Sequence, residues 1–136
     1  MKNLAVEQSQ EIKAKVNRVD LLERLITYSS QLIKFCAKLE QAGVTSILIR
    51  QLLRSGTAIG ANVHEAQGGQ SRSDFISKIS IAYKEALETL YWLRILKEID
   101  SHFYDDVMKW IDESSQLTKI LSSIILTSKQ KSTNGR

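Results

Sequence analysis

The residues of this chain that could carry catalysis are few, and their spacing organises none of them. His64-Glu65 opens like a zinc-protease pattern, but that pattern needs a second histidine four positions on, where Gly68 stands. His102 is isolated, and the Glu-x-x-His pairs that hold metal in di-iron bundles are missing. Serines, histidines and acids occur without any local nucleophile signature to gather them. Gly68-Gly69 lacks the following lysine and the serine or threonine that a phosphate-binding loop requires. The sequence therefore predicts no catalytic residue, no metal site, no cofactor and no enzyme.

The charged residues are more informative. Arg24, Thr27, Gln31, Lys34 and Lys38 recur at three- and four-residue steps with no acid among them, which on a helix is one basic stripe. A charge run is usually a solvated face. Repeated round an assembly, however, the stripe would multiply its potential and attract polyanions. The polar end SKQKSTNGR adds Lys129 and Lys131, with Arg136 beyond them. Arg24, Lys34, Lys38, Lys129 and Lys131 are thus the candidate nucleic-acid-binding residues, acting by counterion release from the phosphate backbone. No aromatic residues interleave the stripe for base stacking, so little base specificity is expected.

Helices must position these groups. Residues 1–19 are polar, with Ile12, Val16 and Val19 at helical steps, and read as an arm or an extension of the first helix. Leu22, Leu25, Ser29, Leu32, Cys36 and Leu39 mark the core face of a helix over 20–41, flanked by Tyr28 and Phe35 and stopped by Gly43. A second helix over 44–67 carries Leu52, Gly56, Ile59, Val63 and Ala66 on one face. Glycine inside a helix costs about 1 kcal/mol relative to alanine and is tolerated where another backbone comes close. After the break at Gly68-Gly69, with Ser71 and Ser73 as rival caps, a third helix runs over 73–99. Its core face is Phe75, Ile79, Ala82, Ala86, Leu90 and Leu93. A fourth, over 103–129, has Val107, Trp110, Leu117, Leu121 and Ile124 inside, an acidic first half that suits the helix dipole, and a disordered basic tail over 130–136.

Folding the second and third helices back on each other brings Arg54 near Glu85 and Glu65 near Lys78. Pairs of that kind serve as register devices more often than as ligand sites. The third helix also carries apolar residues off its core face, among them Ile81, Trp92 and Ile95. A helix apolar on more than one side is buried on more than one side, so these residues are the candidate oligomer interface.

The stretch from Gln51 to Leu93 resembles a known family at Arg54-Ser55-Gly56-Thr57-Ala58-Ile59-Gly60-Ala61-Asn62 and Glu65. The match continues at Asp74-Phe75-Ile76, Ala82, Lys84-Glu85-Ala86, Glu88-Thr89 and Tyr91-Trp92-Leu93. It looks like the four-helix-bundle family encoded by intervening sequences in bacterial large-subunit ribosomal RNA genes, related to the accessory variability proteins of diversity-generating retroelements. Where that family commonly has Asn-Ile-Ala-Glu-Gly, this chain has Asn62-Val63-His64-Glu65-Ala66. The resemblance implies an all-α, up-down antiparallel four-helix bundle assembled into a ring-like homopentamer. It also implies a basic surface suited to nucleic acid, and brings no established enzymatic activity.

The overall bounds agree with a single helical domain. The chain has 136 residues, 43% of them hydrophobic and 25% charged, a net charge of +4 and no proline. A single cysteine, Cys36, excludes an internal disulfide framework and reads as a buried thiol. The start lacks the apolar run of a signal peptide and no segment approaches membrane-spanning length, so a cytoplasmic location is expected. Two functions stay open. One is an oligomeric accessory protein binding DNA or RNA; the other is a structural adaptor for a protein partner such as a reverse transcriptase.

Overall fold

The computed structural model describes the backbone of residues 4–134, and the side chains of these except 7, 10–19 and 132–134. The expectations placed on Ile12, Val16, Val19 and Arg136 lie outside the described residues and side chains. Among the described residues the chain is all-helical, with α1 at Leu4–Gln41, α2 at Ser46–Ala66, α3 at Arg72–Ile99 and α4 at Tyr104–Asn134, packed together as a bundle.

Two helices are longer than their core patterns suggested. The polar segment at the start continues α1 without a break, giving one helix of 38 residues. At the other end α4 runs to Asn134, through much of the tail expected to be disordered. Neither stretch contains proline, and the first glycine after Tyr104 is Gly135, so no strong breaker interrupts either helix.

The turns have distinct local causes. Gly43 takes φ 83°, the Val44 N–H donates to the Leu39 carbonyl (3.0 Å) and the Gly43 N–H to the Glu40 carbonyl (3.0 Å), the double bond of a Schellman cap. The expected left-handed glycine stop at Gly68 is replaced by a tightening of the helix. The N–H groups of Gln67, Gly68 and Gly69 donate to the carbonyls three residues back, and neither glycine has positive φ. Of the two rival caps for α3, Ser71 serves, its Oγ accepting from the Asp74 N–H at 3.1 Å.

Packing is tight around α2 and loose between α1 and α4. A Cβ at Gly56 would overlap Leu32 Cδ2, and one at Gly60 would lie 3.3 Å from Leu25 Cβ, so hydrogen alone at these positions lets α2 settle on α1. Ile59, Val63, Ala82, Ala86, Leu93 and Leu121 fill the centre. By contrast, no described Cα of α1 comes within 8 Å of one in α4, and large side chains span the gap. Tyr28 meets Trp110 edge-on (centroids 5.1 Å), while Phe35 stacks on Trp110 (5.7 Å) and meets Phe103 edge-on (5.9 Å). Tyr28 and Phe35, expected to flank the core, are buried in it, whereas Leu22 and Leu90 are only half-buried.

Candidate functional site

The basic stripe of α1 has no acid on its own helix, but α4 supplies one. Arg24 donates through Nε to Glu113 Oε1 (2.7 Å) and through Nη2 to Glu113 Oε2 (2.9 Å), with Gln116 Oε1 at 3.0 Å. This two-point contact matches the guanidinium fork to the carboxylate. It also raises the guanidinium above its ordinary pKa, chiefly through the hydrogen bond to Glu113. Arg24 is therefore a strap between α1 and α4 rather than a free cation, which corrects the expectation of an unpaired stripe. The acid was invisible along the stripe because it lies on another helix.

Lys34 and Lys38 are exposed and make no ion pair among the described residues. Lys129 and Lys131 lie elsewhere. The contacts of Arg24 with Glu113, Tyr28 with Ser114 and Phe35 with Phe103 show α1 and α4 running antiparallel. That places Lys131 beyond the Asp20 end of the seam, although the two residues line one cavity, and roughly 35 Å along the axis from Lys34. Lys129 has an interaction of its own and is not a free cation. The five basic candidates thus divide into a strap, a pair of open lysines and a distant pair.

On the other side of the molecule, the structure brings Arg54 to Glu85, with Nη1 at 3.3 Å from Oε2, and also to Glu88. Lys78 Nζ lies 2.8 Å from Glu65 Oε2. These pairs are largely exposed and cross between α2 and α3. Beneath them a dry polar contact sets the register: Thr89 Oγ1 donates to Ser55 Oγ at 2.9 Å, with both residues fully buried. Along the α1/α4 seam the hydroxyls of Tyr28 and Ser114 share a hydrogen bond of 2.7 Å. Burial pushes the Tyr28 phenol up to about 12, against the opposing effect of Ser114, and pushes the Cys36 thiol up to about 11. Cys36 is enclosed and electrostatically inert.

Ile81, Glu85, Glu88, Trp92, Ile95 and Ile99 follow one another at four- and three-residue steps, forming one row along α3. Ile81 is 39% exposed and Ile99 57%, while Trp92 and Ile95 are half-buried against the core. Two neighbours widen the apolar band: Tyr91, 58% exposed and edge-on to Trp92, and Leu87, 43% exposed. Trp92 Nε1 is buried without a hydrogen-bond partner. Leu87 was missed in the sequence, as were the exposed Ile26 and Ile33 of α1. Their seven-residue spacing was the available signal.

The loose seam between α1 and α4 leaves two openings, one on each side of the Arg24 strap. A cavity of about 340 Å³ lies between Thr27, Gln31, Asp106, Lys109 and Trp110. A larger one, about 550 Å³, reaches past Asp20 and Lys131 to Val63 of α2 and Phe75 and Ile79 of α3. No cluster of metal-ligating side chains occurs among the described residues. No helix among them is long and apolar enough to cross a membrane.

This arrangement of helices has known relatives. The family model of the 23S rRNA-intervening sequence protein matches residues 17–123. The chain belongs to that family. A solved protein of unknown function from the S23 ribosomal protein family of Bacteroides thetaiotaomicron VPI-5482 is 36% identical. The similarity covers 76% of this chain and 96% of that one, with a TM-score of 0.68. No curated protein matches the chain. The family match contains α2, α3, the Arg54 cluster and the Arg24 strap, and stops before Lys129 and Lys131.

Proposed function

We propose that the protein is a non-enzymatic, self-assembling accessory protein of the cytoplasm, whose assembled basic surface holds DNA or RNA with little sequence preference. Its protomer is read as an up-down antiparallel four-helix bundle. The observation that carries the reading is the outer face of α3, where Ile81, Leu87, Tyr91 and Ile99 stand in solvent beside Trp92 and Ile95. Apolar residues gathered on one helix face in this way, even with the ion-paired Glu85 and Glu88 between them, suit a subunit contact better than a monomer surface. The family resemblance makes a ring of five the expected assembly. Each subunit would then add Lys34 and Lys38 to a common basic surface, far from the acid that neutralises Arg24. Phosphates would bind there by displacing condensed counterions, without reading bases.

The test is binding to unrelated duplexes and single strands across a salt series. Affinity should fall steeply with salt. Lys34→Glu with Lys38→Glu should weaken binding to all of them while leaving the oligomer intact. No binding at low salt, or binding indifferent to the double substitution, removes these lysines as the site.

The Arg24–Glu113 strap favours a second reading, because it takes the strongest cation out of the stripe. In this reading the protein is an adaptor whose α3 band receives a protein partner such as a reverse transcriptase. The lysine reversals would then leave the partner bound, and Tyr91→Glu would release it.

A further inference from the structure

A second apolar face stands in solvent, on α1. Leu22, Ile26, Ser30, Ile33 and Ala37 follow one another at four- and three-residue steps, and the row itself carries no charged residue. Ile26 is 48% exposed and Ile33 53%, Ala37 is open to solvent, and Leu22 is half-buried. The hydroxyl in the row is already engaged, since Ser30 Oγ donates to the Ile26 carbonyl at 2.8 Å. In a chain with 25% charged residues, an uncharged row of about 22 Å along one helix flank offers water little to hold. Gathered apolar surface of this kind marks a contact site.

This row and the outer face of α3 are alike in length and different in border. From Ile81 to Ile99 the α3 face extends about 27 Å. Glu23 and Glu40 flank the α1 row, with Lys34 on the side of the basic stripe. Lys84 and Arg94 flank the α3 face, with Glu98 beyond them. All six are exposed, and none makes an ion pair among the described residues. Glu85 and Glu88, within the α3 face, are engaged by Arg54. Acids therefore predominate among the unpaired charges round the α1 row, and cations round the α3 face. Laying either face on a copy of itself sets like charges together. Laying α3 on α1 sets opposite ones together, as complementary interfaces do.

We propose that the α1 row of one copy receives the α3 face of the next, a head-to-tail contact between two different surfaces of the same chain. The inference rests on the self-assembly read from α3 and supplies the surface that receives it. Each copy gives one face and accepts with the other, so the contact repeats until a ring closes or a filament extends. A contact of α3 with itself would stop at a dimer and leave Ile26 and Ile33 in water.

The experiment is a mixing test by sedimentation of the full chain at micromolar concentration. One variant carries Ile26→Glu with Ile33→Glu, and the other carries Tyr91→Glu. All three positions are exposed, and circular dichroism checks that the helices remain. Glutamate on both faces makes the two damaged surfaces repel each other. Each variant alone should sediment as a monomer. Their equimolar mixture should form a one-to-one dimer and nothing larger, because one intact α1 row then meets one intact α3 face. Should the double variant lose its helices, Ala37→Glu tests the same row at an exposed position. An α1-row variant that keeps the native size overturns the pairing, and so does a mixture that stays monomeric while the native chain assembles. A native chain that is itself monomeric overturns the self-assembly reading, and the pairing with it.

Discussion

Replacing Gly56 by alanine should change sign with its neighbour. In the native chain, the new methyl would overlap Cδ2 of Leu32, a side chain with 0% exposure. Leu32 must then rotate into filled space or push α1 from α2, and overpacking of this kind costs about 1–3 kcal/mol. Against that, alanine is about 1 kcal/mol better than glycine inside a helix. The net effect should be destabilising by about 1 kcal/mol. Leu32→Ala alone should cost about 2–5 kcal/mol, because it empties a fully buried site. In that background the overlap is gone, so Gly56→Ala should stabilise by about 1 kcal/mol or more while partly filling the hole. The two changes are therefore coupled by about 2 kcal/mol. Urea unfolding of the four variants, followed by circular dichroism at one fixed protein concentration, measures the cycle. A Gly56→Ala effect of the same sign and size in both backgrounds would refute the claim that Gly56 is kept for the close approach of α1.

Three further outcomes follow from other parts of the molecule. Arg54→Glu should destabilise by about 1 kcal/mol, since its partners are half-exposed. Adding Glu85→Arg should restore only part of this, because Glu88 also contacts position 54; a thermodynamic cycle with no coupling would dismiss the pair. Stability should hold through neutral pH and fall in alkali. The folded state keeps Cys36 protonated to about 11 rather than 9.0, and Tyr28 to about 12 rather than 10.0, so the unfolded chain loses these protons first. Each displacement corresponds to about 3 kcal/mol at most. Cys36→Ala should remove the earlier part of the decline in urea midpoint, and a midpoint unaffected by alkali would contradict both burials. Tyr28→Phe should cost about 1–3 kcal/mol at neutral pH, because Ser114 is left buried without its partner.

The helices were legible in the sequence because their causes are local. The four-three spacing of Leu25, Ser29, Leu32, Cys36 and Leu39, the glycine at position 43 and the capping serine at 71 act within a few residues. The small-residue face of α2 also announced its close packing. The Arg24 strap was hidden because helical spacing shows what shares a face, not what faces it. Glu113 looked like one more acid in a solvated run. Likewise, Trp92 and Ile95 lie off the ideal core stripe, yet most of their surface is covered within the chain, packed against the core. Only the packing between helices decides how much remains for a neighbour. At the start of α1 the extension, one of the two readings of that segment, is what forms, and α4 went further than expected, because hydrophobic periodicity marks where a helix is buried, whereas the helix itself continues until something breaks it.

Self-assembly through the outer face of α3 is tested most directly by sedimentation equilibrium at micromolar concentration, on the native chain and on Tyr91→Glu. The native chain should form one discrete oligomer, five subunits if the family resemblance extends to the ring. Tyr91→Glu should shift it towards monomer while its helical signal is retained. A native chain that sediments as a monomer would contradict the assembly outright, and a native dimer would contradict the ring. An oligomer unmoved by Tyr91→Glu would place the subunit contact on some other face.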